Sequence, residues 1–438
     1  MRYTIPWGNA SLSFDAPEES VVFSGLMEKL PPLKNLEQAL IDALDHPIGK
    51  PPLSQLVKSA EKGVLFLVED ATRNTPLERI LPTIITYLNK AGIPDEKISF
   101  LTAPGTHRVM TPGEIEKKLG APMVKRFNVY QHDATRADEL VNIGQVMAGD
   151  YPVPVEINRR ALEGKFLFGL GNIVPHSDAG YSGGAKILQP GICGFVTTAA
   201  THAAAGFCPD IPLGMKEGNP CRRGMEAVAE QVGLSFILNT VKNYDGEICG
   251  IFAGDFIKAH RAGVDLAEKS FKVDIPEQAD IVIVSSYPAD LDFWQAGKGI
   301  TAAYFAVKEK GVIIFVSPCT EGLAANHPRF REWLAKPLAK VLEDLRKYKP
   351  QDEEADLVSG VLAVCNCRAR DRAAIFAVTQ GLSGADLEAL QFTSFPDITS
   401  ALKEALKRKP GGTIGILPQG GISLPKTGKN GGNYASHR

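Results

Sequence analysis

Residues 64–102 read VLFLVEDATRNTPLERILPTIITYLNKAGIPDEKISFLT, and this stretch decides the fold. Val64 to Val68 is an unbroken apolar run of strand length. Leu77 to Ala91 spaces its apolar residues as a helix does, and Ile98 to Thr102 is a second apolar run. Strand, amphipathic helix and strand in that order predict a βαβ unit, because parallel strands need a long crossover between them.

The same alternation extends outward. A helix near Glu114 to Leu119 and strands at Phe127–Gln131 and Lys165–Gly169 continue the series. Tyr3 to Phe14 alternates about a Gly8-Asn9 turn and reads as a β-hairpin. Asp255 to Lys272 reads as a long helix joining two halves. After Pro276 a second series begins, with a strand at Asp280–Ser286, a helix at Phe293–Lys308 and a strand at Gly311–Val316. Val361–Cys365, Leu387–Phe392 and Thr413–Leu417 read as further strands. The expectation is an α/β protein of two α/β domains, residues 1–275 and 276–425, with mostly parallel sheets and the active site in the cleft between them. Residues 426–438 read as a frayed, Gly/Asn-rich tail.

Composition narrows the function. Forty-eight Lys and Arg against 50 Asp and Glu leave a net charge of −2, so no basic excess points to nucleic acid or an anionic membrane surface. The start, Met1 to Gly8, lacks the apolar run of a signal peptide, and no apolar stretch is long enough to span a bilayer. A cytoplasmic protein is expected. Seven scattered cysteines argue against a disulfide framework and read as buried free thiols.

Polar clusters follow the predicted strands of the first half, where a doubly wound sheet places its ligands. In Glu69-Asp-Ala-Thr-Arg73, Asp70 and Thr72 suit helix capping, and Arg73 suits gripping a carboxylate or phosphate. Gly105-Thr-His107 turns sharply and can aim an imidazole across the sheet end; taken alone, a loop histidine is more often structural or merely exposed. His132-Asp133 reads either as a supporting pair or as a cap.

The densest cluster is Asn172-Ile-Val-Pro-His-Ser-Asp-Ala-Gly-Tyr-Ser-Gly-Gly-Ala-Lys186. Ser182, Gly183 and Gly184 could cradle a phosphate beside Lys186, but the P-loop spacing is missing and residue 187 is Ile. His202 lies in an alanine-flanked helix and suits either a core residue or a metal ligand. In the second half Gln295 and Lys298 sit one helical turn apart, as two residues on a wet face or two reaching across a cleft would.

Taken in order, Asp70-Ala-Thr-Arg73, Gly105-Thr-His107, His132-Asp133, His176 through Lys186, His202, Gln295 with Lys298 and the closing Leu417-Pro-Gln-Gly-Gly-Ile-Ser-Leu-Pro425 resemble the lactate racemase family. That resemblance implies an isomerase acting on a 2-hydroxy acid through a nickel-pincer nucleotide. His107 and His176 would be opposed bases and His202 a nickel ligand. Lys186 would hold the cofactor, covalently in some members, and Tyr181-Ser182-Gly183-Gly184 its phosphate. Asp70 and Trp294 would complete the cofactor surroundings, while Arg73, Gln295 and Lys298 orient the substrate. Partner proteins that synthesise the cofactor are implied too. Trp294 stands where the resemblance leads to tyrosine, which alters the pocket's volume. Two other expectations compete. One is a zinc or other divalent-metal hydrolase built on His107, His176, His202 and a carboxylate such as Asp133. The other is a non-catalytic nucleotide-binding protein.

Overall fold

The computed structural model describes residues 1–324, 327–349, 352 and 355–427. Its first large sheet has six strands in the order Ile248–Gly254, Phe236–Lys242, Phe166–Asn172, Val64–Glu69, Ile98–Ala103, Asn128–Gln131. All neighbours are parallel except the Ile248–Gly254 edge, which returns antiparallel beside Phe236–Lys242. Period-two alternation fixes the register. Phe100, Phe66, Phe168 and Phe236 are partners on four successive strands, with ring centroids 5.0–5.1 Å apart. A one-residue slip would turn this aromatic row to the other face of the sheet. The row packs under the helices Leu36–Asp45 and Leu77–Lys90, while Leu65, Leu67, Leu101 and Leu167 feed the core on the opposite face.

The second sheet runs Thr393–Ser394, Ala373–Val378, Val307–Val316, Ala279–Ser285, Ile414–Leu417, Val21–Ser24, all parallel. Its last strand comes from the N-terminus, so the assignment of all of residues 1–275 to the first unit needs correcting. Without Val21–Ser24, the Ile414–Leu417 strand would present an open edge. The Arg2–Trp7 and Ala10–Asp15 hairpin follows, burying Ile5 and Phe14 against Ile281, Ile283, Ile314 and Ile416. Lys272–Ile275 pairs with Leu424–Thr427, so Lys426 and Thr427 belong to a strand rather than to a tail. Residues 428–438, the rest of that tail, lie outside the described residues.

Two expected strands are helices. Val361–Cys365 lies inside the helix Leu357–Arg372, and Leu387–Phe392 falls mostly in the helix Gly384–Leu390. The first helix is buried on nearly every side, so its apolar run carries no helical periodicity to read. Asp356 caps its start, accepting from the Ser359 amide. A Ser383–Asp386 capping box starts the second. The strand role passes to Ala373–Val378, whose Ala-rich sequence gives no strong signal.

In both sheets the order reverses beside the first strand of the series. The reversal lies between Val64–Glu69 and Phe166–Asn172 in one, and between Ala279–Ser285 and Ile414–Leu417 in the other. Such switch points open a crevice at the carboxyl ends of the strands. One crevice receives the segments after Glu69, Ala103 and Asn172; the other receives those after Ser285 and Leu417.

Candidate active site

Segments from both crevices line one continuous cleft. Its inner chamber is lined by Lys186, Thr198, His202 and Asn366, among others; its outer chamber by Arg108, Asp292, Glu321 and His327. Asp70, Arg73, His107, His176, Trp294, Gln295 and Lys298 line both chambers and mark their junction. The cleft therefore gathers residues from each expected cluster except His132-Asp133.

His107 rides the turn after Ile98–Ala103. Its Nδ1 donates to Asp70 Oδ2 at 2.8 Å, and Asp70 Oδ1 accepts from the Thr72 amide and hydroxyl at 3.2 and 2.7 Å. The tautomer this fixes leaves Nε2 with its lone pair. Burial alone would raise the Asp70 carboxyl, but the His107 contact and the Arg73 charge hold it well below the usual range. Burial pulls the His107 imidazole below its ordinary value, against the opposing pull of Asp70. Asp70 thus contacts a catalytic candidate rather than serving as a plain helix cap.

His176 is held differently. It sits in a two-residue strand, Pro175–His176, paired with Gly180–Tyr181. Its Nδ1 accepts from the amides of Asp178 and Ala179 at 3.2 and 3.4 Å. Burial, then the charges of Lys186, Lys298 and Arg73, drive its pKa well down, so the ring is neutral at ordinary pH with its proton on Nε2. His202 Nδ1 donates to the Thr198 carbonyl one turn back at 2.8 Å, which leaves Nε2 free to bind a metal.

Three cations meet in the cleft without a carboxylate in ion-pairing distance among the described residues. Arg73 donates to the Thr72 hydroxyl at 2.8 Å, Lys298 Nζ to Gln295 Oε1 at 2.6 Å, and Lys186 makes no side-chain hydrogen bond among the described residues. Burial and mutual repulsion push Lys186 down to about 8 and Lys298 to about 7. Such a site calls for anionic ligands.

The glycine loop has work in the fold beside the phosphate role its sequence suggests. The Ser182 amide donates to Val174 O at 2.8 Å, its hydroxyl to Asn172 O at 2.8 Å, and the Gly184 amide to Asn239 Oδ1 at 2.8 Å. Tyr181 is buried and, like Gly184, lies off the cleft wall, whereas Ser182 and Gly183 reach it. The glycines serve the fold. Gly183 and Gly184 have φ of +76° and +61°, and a Cβ would come within 2.8 Å of Ile173 and His260 respectively. Arg222, buried on the helix Pro220–Val232, donates to the carbonyls of Ala179, Tyr181 and Gly183 and anchors the loop from behind. Nothing in its sequence surroundings sets Arg222 apart from its neighbour Arg223. His260, whose Nε2 bonds Ser182 O at 2.9 Å, is equally unmarked, and Thr72 stands out only as a helix cap.

His132 is structural. Buried, with Nε2 bonded to Cys193 O at 3.0 Å, it is pushed to about 4 by burial and stays off the cleft. Asp133 accepts from the Thr135 amide and hydroxyl as a turn cap. Among the described residues no group of three or more His, Cys, Asp or Glu is placed to hold a metal ion, so the hydrolase built on three histidines and Asp133 finds no site. The seven cysteines are free.

Known proteins match this arrangement. Residues 7–211 fit the lactate racemase N-terminal domain and 275–424 the lactate racemase C-terminal domain. The lactate racemase of Thermoanaerobacterium thermosaccharolyticum is 33% identical over 325 residues, 73% of this chain and 74% of that protein. That of Lactiplantibacillus plantarum is 34% identical over 290 residues, 65% and 67% of the two chains. The Thermoanaerobacterium apoprotein structure superposes with a TM-score of 0.86 and 29% identity, covering 97% of this chain and all of that one. With both domain models matched in order and the fold shared along nearly its whole length, the chain belongs to the lactate racemase family of isomerases.

Proposed function

We propose that the chain inverts C2 of a 2-hydroxy acid with a nickel-pincer nucleotide bound in the inner chamber. The observation that carries this is the junction of the two chambers, where Arg73, Lys298, His107 and His176 converge and, among the described residues, no carboxylate lies within ion-pairing distance of either cation.

The residues fit such a cofactor. His202 offers one free nitrogen, and a metal held there must bring its remaining donors with it. Lys186 beside it, at about 8, keeps an appreciable neutral amine fraction near physiological pH, as acyl attachment to a cofactor requires. The nucleotide's loading would fall to separate cofactor-synthesis proteins. No helix among the described residues is long and apolar enough to cross a membrane, and we place the enzyme in the cytoplasm with that machinery.

When bound, the cofactor would supply a reversible hydride acceptor for C2, so the substrate would pass through a keto acid whose C2 carbonyl is uncharged instead of an unstable dianion. The chain does the rest. Arg73 and Lys298 hold the carboxylate, and Gln295 fixes the Lys298 ammonium. His107 Nε2 takes the hydroxyl proton of one enantiomer, and His176 serves the other. The test is protein made in cells that synthesise the cofactor, analysed for nickel and bound nucleotide and incubated with C2-deuterated acids. Retention of deuterium at C2 of the inverted product is expected; wholesale washout to solvent would overturn the hydride route.

A further inference from the structure

A second aspartate–histidine pair stands on the opposite wall of the cleft, and no sequence motif drew attention to it. His327 Nδ1 lies 3.1 and 3.3 Å from the two carboxylate oxygens of Asp356. Asp356 is itself fixed as the cap of Leu357–Arg372, accepting from the Ser359 hydroxyl at 2.5 Å. The imidazole lies flat on Trp294, ring centroids 3.6 Å apart and planes within 7°, and Phe330 closes edge-on against the indole at 5.0 Å. His327 is buried, lines the outer chamber, and its Nε2 makes no hydrogen bond among the described residues. Two contacts fix the ring in plane and rotation, and its one remaining polar atom is unused.

We infer that His327 is a specificity residue that binds a hydroxyl on the substrate beyond C2, so that the preferred acid is hydroxylated at C3. The inference rests on the proposed function, which seats the carboxylate and C2 at the junction of the chambers. With the cofactor in the inner chamber, the substituent on C2 extends into the outer one, toward His327. An imidazole held at Nδ1 by a carboxylate presents a lone pair at Nε2 when neutral and a proton when charged. A hydroxyl donates to the first and accepts from the second, whereas a methyl group meets neither and leaves the nitrogen desolvated. Trp294, by stacking on His327, positions the ring.

Glycerate and lactate form a minimal pair, differing by one hydroxyl on C3. With cofactor-loaded enzyme, kcat/KM is expected to favour glycerate by about tenfold or more, the worth of one hydrogen bond. His327→Leu should collapse that ratio to near one, chiefly by raising KM for glycerate. Asp356→Asn, which keeps the ring but loosens it, should erode the ratio partway. Equal or better use of lactate by the unmodified enzyme overturns the inference, as does a ratio unchanged in His327→Leu. The unmodified enzyme's own ratio decides the matter if that variant fails to fold. Failure to invert any 2-hydroxy acid, with cofactor verified by mass, overturns the proposed function and this inference together. Turnover without preference overturns this inference alone.

Discussion

His107 and His176 line the same junction from the ends of two strands of one sheet, one strand apart across Val64–Glu69, yet they are held by opposite kinds of partner. A carboxylate grips His107, so its Nδ1 must carry a proton and its Nε2 faces the cleft as a base. Two amides grip His176, so its Nδ1 must accept and its Nε2 carries the proton. The charges differ in the same sense: Asp70 favours a proton on His107, while Lys186, Lys298 and Arg73 expel one from His176. A racemase needs a base for the hydroxyl proton of each enantiomer, and without substrate only His107 presents a lone pair at Nε2. His176 must therefore exchange its amide contacts before it can serve as a base.

The largest effect that would break this comparison is loss of either ring. His107→Ala and His176→Ala should each lower inversion by about 10³-fold, within the usual range for general acid–base groups. Each variant should still convert one enantiomer to enzyme-bound keto acid, detectable after acid quench, and the two variants should retain opposite enantiomers. If both retain the same one, the rings do not serve opposite faces.

Next in size is the carboxylate behind one ring only. Asp70→Asn removes the charge that sets the His107 tautomer and should cost about 10²-fold in kcat/KM. Asp178→Asn should cost far less, because its backbone amide makes the bond to His176, while its carboxylate stands 3.6 Å from the same nitrogen, beyond hydrogen-bond reach. Parallel kinetics on the two variants check this, and equal losses would contradict the opposed tautomers.

A smaller effect lies in the pH profile. Lys298 sits near 7, depressed by burial and by Arg73 and Lys186. It is charged below that value and loses its proton as pH rises through it, while a 2-hydroxy acid stays ionised throughout. In the free enzyme, carboxylate capture therefore weakens above about pH 7, and kcat/KM should fall on that side. A bound carboxylate stabilises the ammonium, so the limb in kcat should lie at higher pH. Lys298→Arg, charged throughout, should remove the alkaline limb. Its persistence in that variant would assign the limb to another group.

How much of this was legible in advance differs between the same two regions. The βαβ pattern around Val64–Glu69 was plain because its strands are fully buried apolar runs and its helix shows one apolar stripe. It also placed Asp70, Arg73 and His107 at strand ends. The second half was read less well. Leu357–Arg372 is buried on most sides and lost its periodicity, and the N-terminal strand joins a sheet some 390 residues away in sequence. Most site residues that touch the cleft carry chemistry in their side chains and follow strands or the glycine loop, which made them legible; His327 follows neither. Arg222 and His327 act through partners distant in sequence, and only the folded chain brings those partners to them.

The glycine loop gives the smallest effect and the sharpest separation of two readings. If Gly184 were present to admit a phosphate, a methyl group there would weaken nucleotide binding and leave the empty protein as stable as before. The structure gives the glycine another reason, a φ of +61° and a Cβ position 2.8 Å from the buried His260 ring, which is itself tied to Ser182 O. Gly184→Ala should therefore destabilise the cofactor-free protein by about 2 kcal/mol, the combined cost of backbone strain and overpacking. Gly113→Ala is the control, since it lies in the helix Pro112–Leu119 with nothing within 4 Å of a Cβ, and it should be neutral or slightly stabilising. Thermal and urea unfolding of both variants without cofactor decide the point. An unchanged midpoint for Gly184→Ala would return the loop to the phosphate reading and take Arg222 and His260 out of the account of how the lysine is held.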